Sequence, residues 1–403
     1  MNLPQIFACL ARGTPLLMGL LLIGCDKLLT TTPEDGTDVP MDNPPSIMAA
    51  FARGDEQFAR IFTVSDGLGP VFNQPSCETC HPGDGRGTPE TSLTRFSING
   101  DLVPTMGGPQ LQERAIPGVE PERIPPGAET SVRMPPPVFA RGLMEFIPDE
   151  TIIALADPDD ANGDGISGRV NWVQPADFVP SYMNGSGPGP AVGRFGLKAN
   201  VASLLQQIVG AYHDDMGITT DYDPVESLHP QAGDLSLSDV AADPEVPATE
   251  VLDVLMYIRT LDIPARGELT PQVQQGDALF TQIGCASCHV PVLKTGPSEI
   301  PSLNLVDAAL YTDMLLHDMG SGLADNRADW TANGFEWRTP PLAGLRLAAD
   351  NLGGTVHYMH DGRTTDLSEA VSMHGGEAQA SRDRFAGLNA ADKEALIAFL
   401  LSL

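Results

Sequence analysis

The sequence has few basic residues, few aromatic residues and an unusually large share of glycine and proline. Lysine and arginine number 23 against 53 acidic residues, for a net charge of −30. This charge excludes nucleic acid as a partner, because phosphates would be repelled. Aromatic residues form only 6% of the chain, beside 41 glycines and 36 prolines. We therefore expect a loop-rich protein whose core needs a large apolar group in addition to its own side chains.

The N-terminal residues predict export. Residues 1–24 carry one basic residue, Arg12, before a short apolar run, and Gly24 precedes Cys25. This pattern is typical of a secretory signal, and the run is too short for a membrane span. The small residue before Cys25 resembles the lipobox of bacterial lipoproteins, which implies a periplasmic protein held at a membrane by a lipid anchor only. The alternative is a plain signal peptide. Residues 25–49 predict a flexible acidic tether.

Two C-x-x-C-H motifs carry the strongest chemical signal. C-x-x-C-H is typical of c-type heme attachment, because the two thiols reach the two vinyl groups of one porphyrin and the following His ligates iron. A zinc site or a pair of redox C-x-x-C motifs is the alternative, but neither needs a His after each Cys pair. The sequence therefore predicts two covalently bound heme c groups. They are held by Cys77, Cys80, His81, Cys285, Cys288 and His289.

An internal repeat predicts the architecture. A G-D-x-x-F segment precedes each motif, beginning at Gly54 and at Gly276. Each copy is expected to end in a helix packed across the first one, over residues 249–261 and 388–403. We predict a mainly α fold with few strands, composed of two cytochrome-c-like heme domains, the first of them enlarged by a long loop-rich insertion. The expected domains cover residues 50–265 and 266–403.

Further segments carry a family resemblance. These are Gly67–Cys77, Gly108–Gln112, Leu155–Asp160 with Gly163–Arg169, Gly193–Gly196, Leu316–Gly320, Glu336–Pro341, His360–Arg363 and His374–Glu377. With them the chain resembles the bacterial diheme cytochrome c peroxidase and MauG superfamily, in its diheme oxidoreductase branch. The resemblance implies peroxidase-like chemistry, with H2O2 as the oxidant at heme 1 and electron exchange through heme 2. A pure diheme electron-transfer cytochrome and a heme-based sensor are the alternatives. The acidic surface favours a basic electron-donor cytochrome or a basic protein substrate as the partner.

The resemblance also implies the distal ligand of heme 2. In the peroxidase relatives the distal Met lies fourteen residues after the His of a His-Asp-Gly motif. Here the motif begins at His360, and the corresponding position is His374. The expected ligation is therefore bis-His, by His289 and His374. Met373, His317 and Met319 are the alternatives.

For heme 1 the resemblance implies an open or water-bound iron, as in MauG-like relatives. No His lies between residues 82 and 212. His213 is the first alternative ligand, and three methionines are the others: Met106, Met134 and Met216.

Peroxide cleavage needs a group that moves a proton between the two oxygens. Relatives use a distal Glu about sixty residues after the first motif, and Glu145 lies at this distance in an apolar run. We therefore predict Glu145 as the catalytic acid–base group, although a solvent-exposed acid at a helix start is the alternative. Gln110, Gln112 and Arg114 are expected to add polar contacts in the same pocket.

A short acidic loop predicts a calcium site. It has the D-x-N-x-D-G start of an EF-hand loop, and its ligands would be the side chains of Asp160, Asn162 and Asp164 and the carbonyl of Ile166. The bidentate Glu expected at position 12 is missing, and Asn171 stands there. A loop of Asx turns is the alternative.

Overall fold

The computed structural model describes residues 36–98, 108–183, 189–231 and 241–403. The predicted mainly α fold is confirmed. The α-helices are α1 Pro45–Ala59, α2 Cys77–Cys80, α3 Arg141–Glu145, α4 Asp149–Leu155, α5 Leu204–Gly210, α6 Ala248–Thr260, α7 Pro271–Gln282, α8 Ala348–Asn351, α9 Leu367–Ser372, α10 Gln379–Gly387 and α11 Ala390–Leu400. A single π turn, Ala211–Asp215, continues α5.

The strands of the described residues are short and form five antiparallel pairs. They are β1 Val71–Phe72, β2 Leu93–Ser97, β3 Arg114–Ala115, β4 Glu129–Arg133, β5 Trp172–Val173, β6 Ala191–Val192, β7 Leu293–Lys294, β8 Asp307–Ala308, β9 Leu316–Asp318 and β10 Glu336–Arg338. The pairs are β1 with β3, β2 with β4, β5 with β6, β7 with β8 and β9 with β10. These two-stranded sheets connect the loops between the helices by backbone hydrogen bonds.

The two copies of the G-D-x-x-F segment build the same helix contact. In α1 a Cβ on Gly54 would lie 2.1 Å from the carbonyl oxygen of Asp253 in α6. In α7 a Cβ on Gly276 would lie 2.0 Å from the carbonyl oxygen of Ala395 in α11. Each glycine therefore lets two helix backbones approach more closely than any side chain would permit. The predicted helices 249–261 and 388–403 correspond to α6 and α11.

The phenylalanine of each repeat contacts the histidine of the motif that follows it. The ring centroids of Phe58 and His81 are 6.3 Å apart, and those of Phe280 and His289 are 6.4 Å apart. Helix α1 packs on α6 and helix α7 packs on α11. The repeat therefore places each motif histidine beside a pair of packed helices.

The halves of the chain share a hydrophobic core. The largest cluster of buried side chains is formed mostly by residues before position 265, but Leu293, Leu303 and Met314 from the second half belong to it as well. A smaller cluster around Phe280 and Phe399 belongs to α7 and α11. Residues 37–403 form one compact unit, and the expected domain boundary after residue 265 stays a prediction.

The expected tether over residues 25–49 is wrong for its C-terminal part. The amide of Met41 donates to the carbonyl of Thr260 at 2.8 Å, and the Met41 side chain is buried. The amide of Asp262 donates to the carbonyl of Val39 at 3.0 Å. Helix α1 then begins at Pro45, where proline suits the first turn of a helix. The burial of Met41 and the backbone hydrogen bonds of this segment hold it against the rest of the protein, although its composition is polar.

No helix among the described residues is long and apolar enough to cross a membrane. The predicted signal segment 1–24 and the lipidation site Cys25 lie outside the described residues.

The helix contact at Gly276 yields a stability prediction. Gly276→Ala should destabilise the protein by about 1–3 kcal/mol, because the new methyl group meets backbone of α11 and the helices must move apart. Thermal unfolding of the parent protein and of the variant measures the loss. Gly387→Ala is the control, since its Cβ would meet nothing within 4 Å and alanine favours a helix. An equal melting temperature for Gly276→Ala and the parent protein would contradict the prediction.

Candidate active site

The first motif lines a cavity of about 200 Å³. The side chain of Ser76 caps α2 by accepting from the amide of Thr79 at 3.2 Å, so the turn that carries Cys77, Cys80 and His81 is fixed at its start. Burial lowers the pKa of His81 to about 4. The imidazole is therefore neutral at physiological pH, which is the form that binds a metal ion.

The second motif lines a separate cavity of about 270 Å³. There His289 Nδ1 donates to the carbonyl of Tyr311 at 3.0 Å, which leaves Nε2 as the acceptor nitrogen. Burial lowers the pKa of His289 to about 4 as well. Because the two cysteine pairs line different cavities, they do not form a single four-thiolate zinc site.

The two cavities have one wall in common. The residues that line both are Met134, Pro136, Pro137, Arg141, Leu197 and Arg338. Groups bound in the two cavities would therefore be separated by single layers of side chains. This arrangement suits electron transfer between them.

Several arginines face the cavities without a carboxylate partner among the described residues. Burial lowers the pKa of Arg86, Arg95, Arg141 and Arg338, to about 10 for three of them and about 9 for Arg141. The Nε atoms of Arg86 and Arg95 are buried and have no hydrogen-bond partner. Unpaired buried cations are costly. The cavities are therefore suited to a ligand that brings carboxylates, as a heme brings its two propionates.

The second cavity holds His374 in addition to His289. The Asp366 side chain caps α9 by accepting from the amides of Ser368 and Glu369, and His374 follows this helix. His374 Nδ1 donates to the carbonyl of Ala370 at 2.9 Å, and burial lowers the His374 pKa. Nε2 is therefore the nitrogen left for iron. The alternative Met373 is not among the residues that line the cavity, whereas Met319 is.

His317 is held as an imidazolium and is not available to iron. Its Nε2 donates to Asp313 at 2.8 Å and its Nδ1 to Glu377 at 2.7 Å. Burial by itself would lower the pKa of His317, but these bonds outweigh it and raise the pKa to about 12. His317 Nδ1 also lies 3.8 Å from Cys288 Sγ. The alternative assignment of His317 as a heme ligand therefore does not fit the geometry.

Glu145 is not where the sequence analysis expects an acid–base group. Its carboxylate pairs with Arg259, whose Nε lies 2.6 Å from Oε2, and it accepts from the amide of Leu204 at 3.3 Å. It lines neither cavity. The apolar run around Glu145 thus buries a structural ion pair rather than a group of the cavity, and this assignment is corrected.

The first cavity contains no second histidine among the described residues. His213 bonds Asp214 at 2.9 Å and the carbonyl of Val225 at 3.2 Å, and it does not line the cavity. Met134 and Met216 do line it, while Met106 lies outside the described residues. The His213 alternative is therefore not supported by the geometry.

Sequence reasoning missed Asp215 as a residue of the first cavity. It lines the cavity together with Gln110, whose amide donates to the Asp215 carboxylate. Burial raises the Asp215 pKa to about 7. The charge of Asp214 also raises this pKa, whereas the hydrogen bond from Gln110 and the charge of Arg95 lower it. No motif marks this position, because the π turn that directs Asp215 into the cavity has no sequence signature. Of the other expected polar contacts, Gln112 and Arg114 do not line the cavity. The Gln112 side chain donates to the carbonyl of Val71 and accepts from the Ser227 hydroxyl, and Arg114 donates to Gln74.

The family of the chain follows from a sequence comparison. The model of the family described as "Di-haem oxidoreductase, putative peroxidase" matches residues 127–403, which is more than half of the chain. The protein belongs to the di-haem oxidoreductase family. The match begins after the first motif and contains the second motif, His374 and all six residues of the shared wall.

Among solved structures this di-haem oxidoreductase is similar to two proteins at low sequence identity. Hydrazine synthase of Kuenenia stuttgartiensis, studied under xenon pressure, has 14% identity and a TM-score of 0.39, with 100% of each chain covered. A MauG-like protein associated with microbial copper homeostasis has 16% identity and a TM-score of 0.39, with 92% of each chain covered. No curated protein matches the chain.

The expected calcium loop of the di-haem oxidoreductase is folded as Asx turns. Asp160 accepts from the amide of Gly165 at 3.1 Å, Asn162 from that of Asp164 at 2.8 Å, and Asp164 from that of Ile166 at 2.9 Å. Asn171, at the position of the missing Glu, is instead committed to the carbonyls of Lys198 and Asp329. The calcium site stays a prediction.

The His317 arrangement yields a pH-dependent stability prediction. His317→Gln should cost about 3–5 kcal/mol at pH 6, because it leaves the carboxylates of Asp313 and Glu377 buried without their cation. The stabilisation from His317 is complete below its ordinary pKa of 6.5 and decreases as the pH rises toward 12. Burial by itself would raise the pKa of Glu377, but the hydrogen bonds that it accepts from His317 and Asp318 outweigh burial and lower this pKa. The stabilisation that Glu377 contributes is therefore lost as the pH falls below about 4.5.

Guanidinium unfolding of the heme-loaded protein and of His317→Gln at pH 6 and pH 9 measures this difference. The difference in the free energy of unfolding between the parent and His317→Gln should be smaller at pH 9 than at pH 6. The control is His229→Gln, since His229 is buried but bonds only backbone groups. An increase in this free-energy difference between pH 6 and pH 9 would contradict the prediction.

Proposed function

We propose that the protein is an exported diheme c-type oxidoreductase with peroxidase-like activity, which reduces H2O2 in the first cavity and exchanges electrons through the second. The observation that carries the proposal is the asymmetry of the cavities. His81 is the only histidine among the described residues that line the first cavity, whereas His289 shares the second with His317, His360 and His374. His317 is bonded to two carboxylates and His360 is stacked on Trp337, so His374 is the second ligand of this proposal. A site with one strong ligand admits a small molecule, and a site with two favours electron transfer.

The residues present fit two hemes. Each cavity offers two cysteines and a neutral histidine in the order that covalent attachment needs, and Arg86, Arg95, Arg141 and Arg338 offer cations to the propionates. We propose thioether bonds at Cys77, Cys80, Cys285 and Cys288. When bound, the heme groups would pass electrons from an external donor to peroxide.

The chain's own residues position and insulate the reaction. Proline and apolar side chains form the wall between the cavities together with Arg141 and Arg338. Trp337 lies in the second cavity, stacked on His360 with ring centroids 3.8 Å apart, and donates its indole N–H to the carbonyl of Leu323 at 2.8 Å. These contacts hold the environment of the second heme rigid, so that electron transfer requires little rearrangement.

The remaining assignments of the proposal rest on the sequence. We propose lipidation of Cys25, a periplasmic location, a bound Ca2+ at Asp160, Asn162, Asp164 and Ile166, and a basic electron-donor cytochrome or basic protein substrate. The net charge of −30 supports a basic partner through steering at low ionic strength.

Low-temperature EPR of the diferric protein, before and after one equivalent of H2O2, tests the proposed function. We expect one high-spin signal and one bis-His low-spin signal, with loss of the high-spin signal on mixing. Two low-spin signals that ignore peroxide, in the diferric protein and again after addition of one electron, would favour the electron-transfer cytochrome instead. A high-spin signal that changes once but gives no turnover with an electron donor would favour the sensor.

The assignment of His374 has its own variant. His374→Ala should convert the low-spin signal of the second heme to high spin, because Nε2 is the only nitrogen that this residue offers to the cavity. Met373→Ala is the control and should leave the EPR spectrum unchanged. The assignment of His374 would be contradicted if Met373→Ala changes the spin state of the second heme and His374→Ala does not.

A further inference from the structure

We propose that Asp215 is the proton-transfer group of the first cavity, an inference that rests on the function proposed above. Asp215 is the only carboxylic acid among the described residues that line this cavity. A group that moves a proton between the oxygens of peroxide must reach the bound molecule. Glu145 is paired with Arg259 and does not line this cavity.

The backbone fixes Asp215 beside the first motif. Its carbonyl accepts from the amides of Asn73 at 2.7 Å and Gln74 at 3.1 Å, just before Ser76 and Cys77. The Gln112 side chain donates to the carbonyls of Asp214 at 3.2 Å and Val71 at 3.3 Å. The π turn is thus bonded on two sides to the segment that leads into the motif. Single π turns inside helices frequently occur at functional sites.

The side chain of Asp215 is held by a second residue of the cavity. The amide nitrogen of Gln110 donates to Oδ1 of Asp215, and Gln110 is itself fixed by a β-bridge to Arg95. Gln110 therefore orients the carboxylate without neutralising it. Because a carboxamide does not titrate, the proton that moves belongs to Asp215.

The electrostatic surroundings suit a group that both takes and returns a proton. The charged groups that act on Asp215 are Asp214 on its own turn, which raises its pKa, and Arg95 from β2, which lowers it. Burial is the largest cause and raises the pKa to about 7. Such a group transfers protons most effectively near its own pKa.

The proposed step balances as follows in atoms and electrons. The Asp215 carboxylate takes the proton from one oxygen of H2O2 and returns it to the other as the O–O bond breaks. The second oxygen leaves with the bonding pair as water. The remaining oxygen takes two electrons, supplied through the hemes by an external donor, and two protons from solvent, and leaves as a second water.

The test compares Asp215→Asn with Glu145→Gln, each of which replaces a carboxylate by an amide of the same shape. Stopped-flow mixing of the heme-loaded proteins with H2O2 should show a loss of about 100-fold in rate for Asp215→Asn. Glu145→Gln should stay within about twofold of the parent. Equal rates for Asp215→Asn and the parent would overturn the inference, as would the larger loss in Glu145→Gln.

A ligand-binding measurement tests the same residue without turnover. HCN must lose its proton on binding ferric iron, whereas imidazole binds as the neutral base. Association of cyanide should be slowed about tenfold in Asp215→Asn, and that of imidazole should be unchanged. Equal slowing of both ligands would show a blocked cavity and overturn the inference. If the parent binds cyanide but does not react with peroxide, the proposed function fails, while the cyanide comparison still decides the role of Asp215.

If Asp215→Asn does not retain its hemes, the inference is tested on the parent protein and on the conservative variant Asp215→Glu. In the parent, the rate of cyanide binding at constant HCN concentration should rise with pH through an apparent pKa near 7. Asp215→Glu should retain the rise at a shifted midpoint. A flat profile in the parent would overturn the inference.

Discussion

The wall between the two cavities is the constraint on which the rest of the structure depends. Arg141 and Arg338 lie in this wall and face both cavities, and among the described residues they bond carbonyl groups and a thioether rather than a carboxylate. A cation buried in this way is costly unless an anion compensates it. The carboxylates of bound hemes would provide that compensation, so folding of the wall and binding of the cofactors are coupled. The same wall brings the two cavities within a side-chain layer of each other.

Two similar helix pairs are used for two different environments. Gly54 and Gly276 allow the same close crossing of helices, and Phe58 and Phe280 contact the two motif histidines in the same way. The difference comes from the residues that complete each cavity. The loop-rich insertion supplies the first cavity with Gln110, Asp215 and Met216, whereas α9 and the segment after it supply the second with His374. The difference between the two cavities is therefore encoded in the segments that the repeat does not share.

The sequence predicts those features that depend on local spacing. The two C-x-x-C-H motifs, the paired helices and the mainly α fold all follow from short patterns. The assignment of His374 as a heme ligand, made from its distance from His360, stays a prediction. Glu145 was misplaced because chain separation from His81 does not determine which side of a wall a carboxylate faces. Asp215 was missed because a π turn redirects it, and Met41 and Pro45 were assigned to a tether because their long-range contacts leave no periodic signal. Residues whose role depends on tertiary contact thus required the structure.

Mass spectrometry of the protein tests the central claim most directly, namely the proposal that each cavity holds a covalently bound heme. After denaturation and proteolysis, we expect one heme on the peptide that contains Cys77–His81 and one on the peptide that contains Cys285–His289. Both should survive extraction with acidified solvent, because thioether bonds are not broken by it. Unmodified cysteines in either peptide, in protein produced with a functional heme-attachment system, would contradict the account.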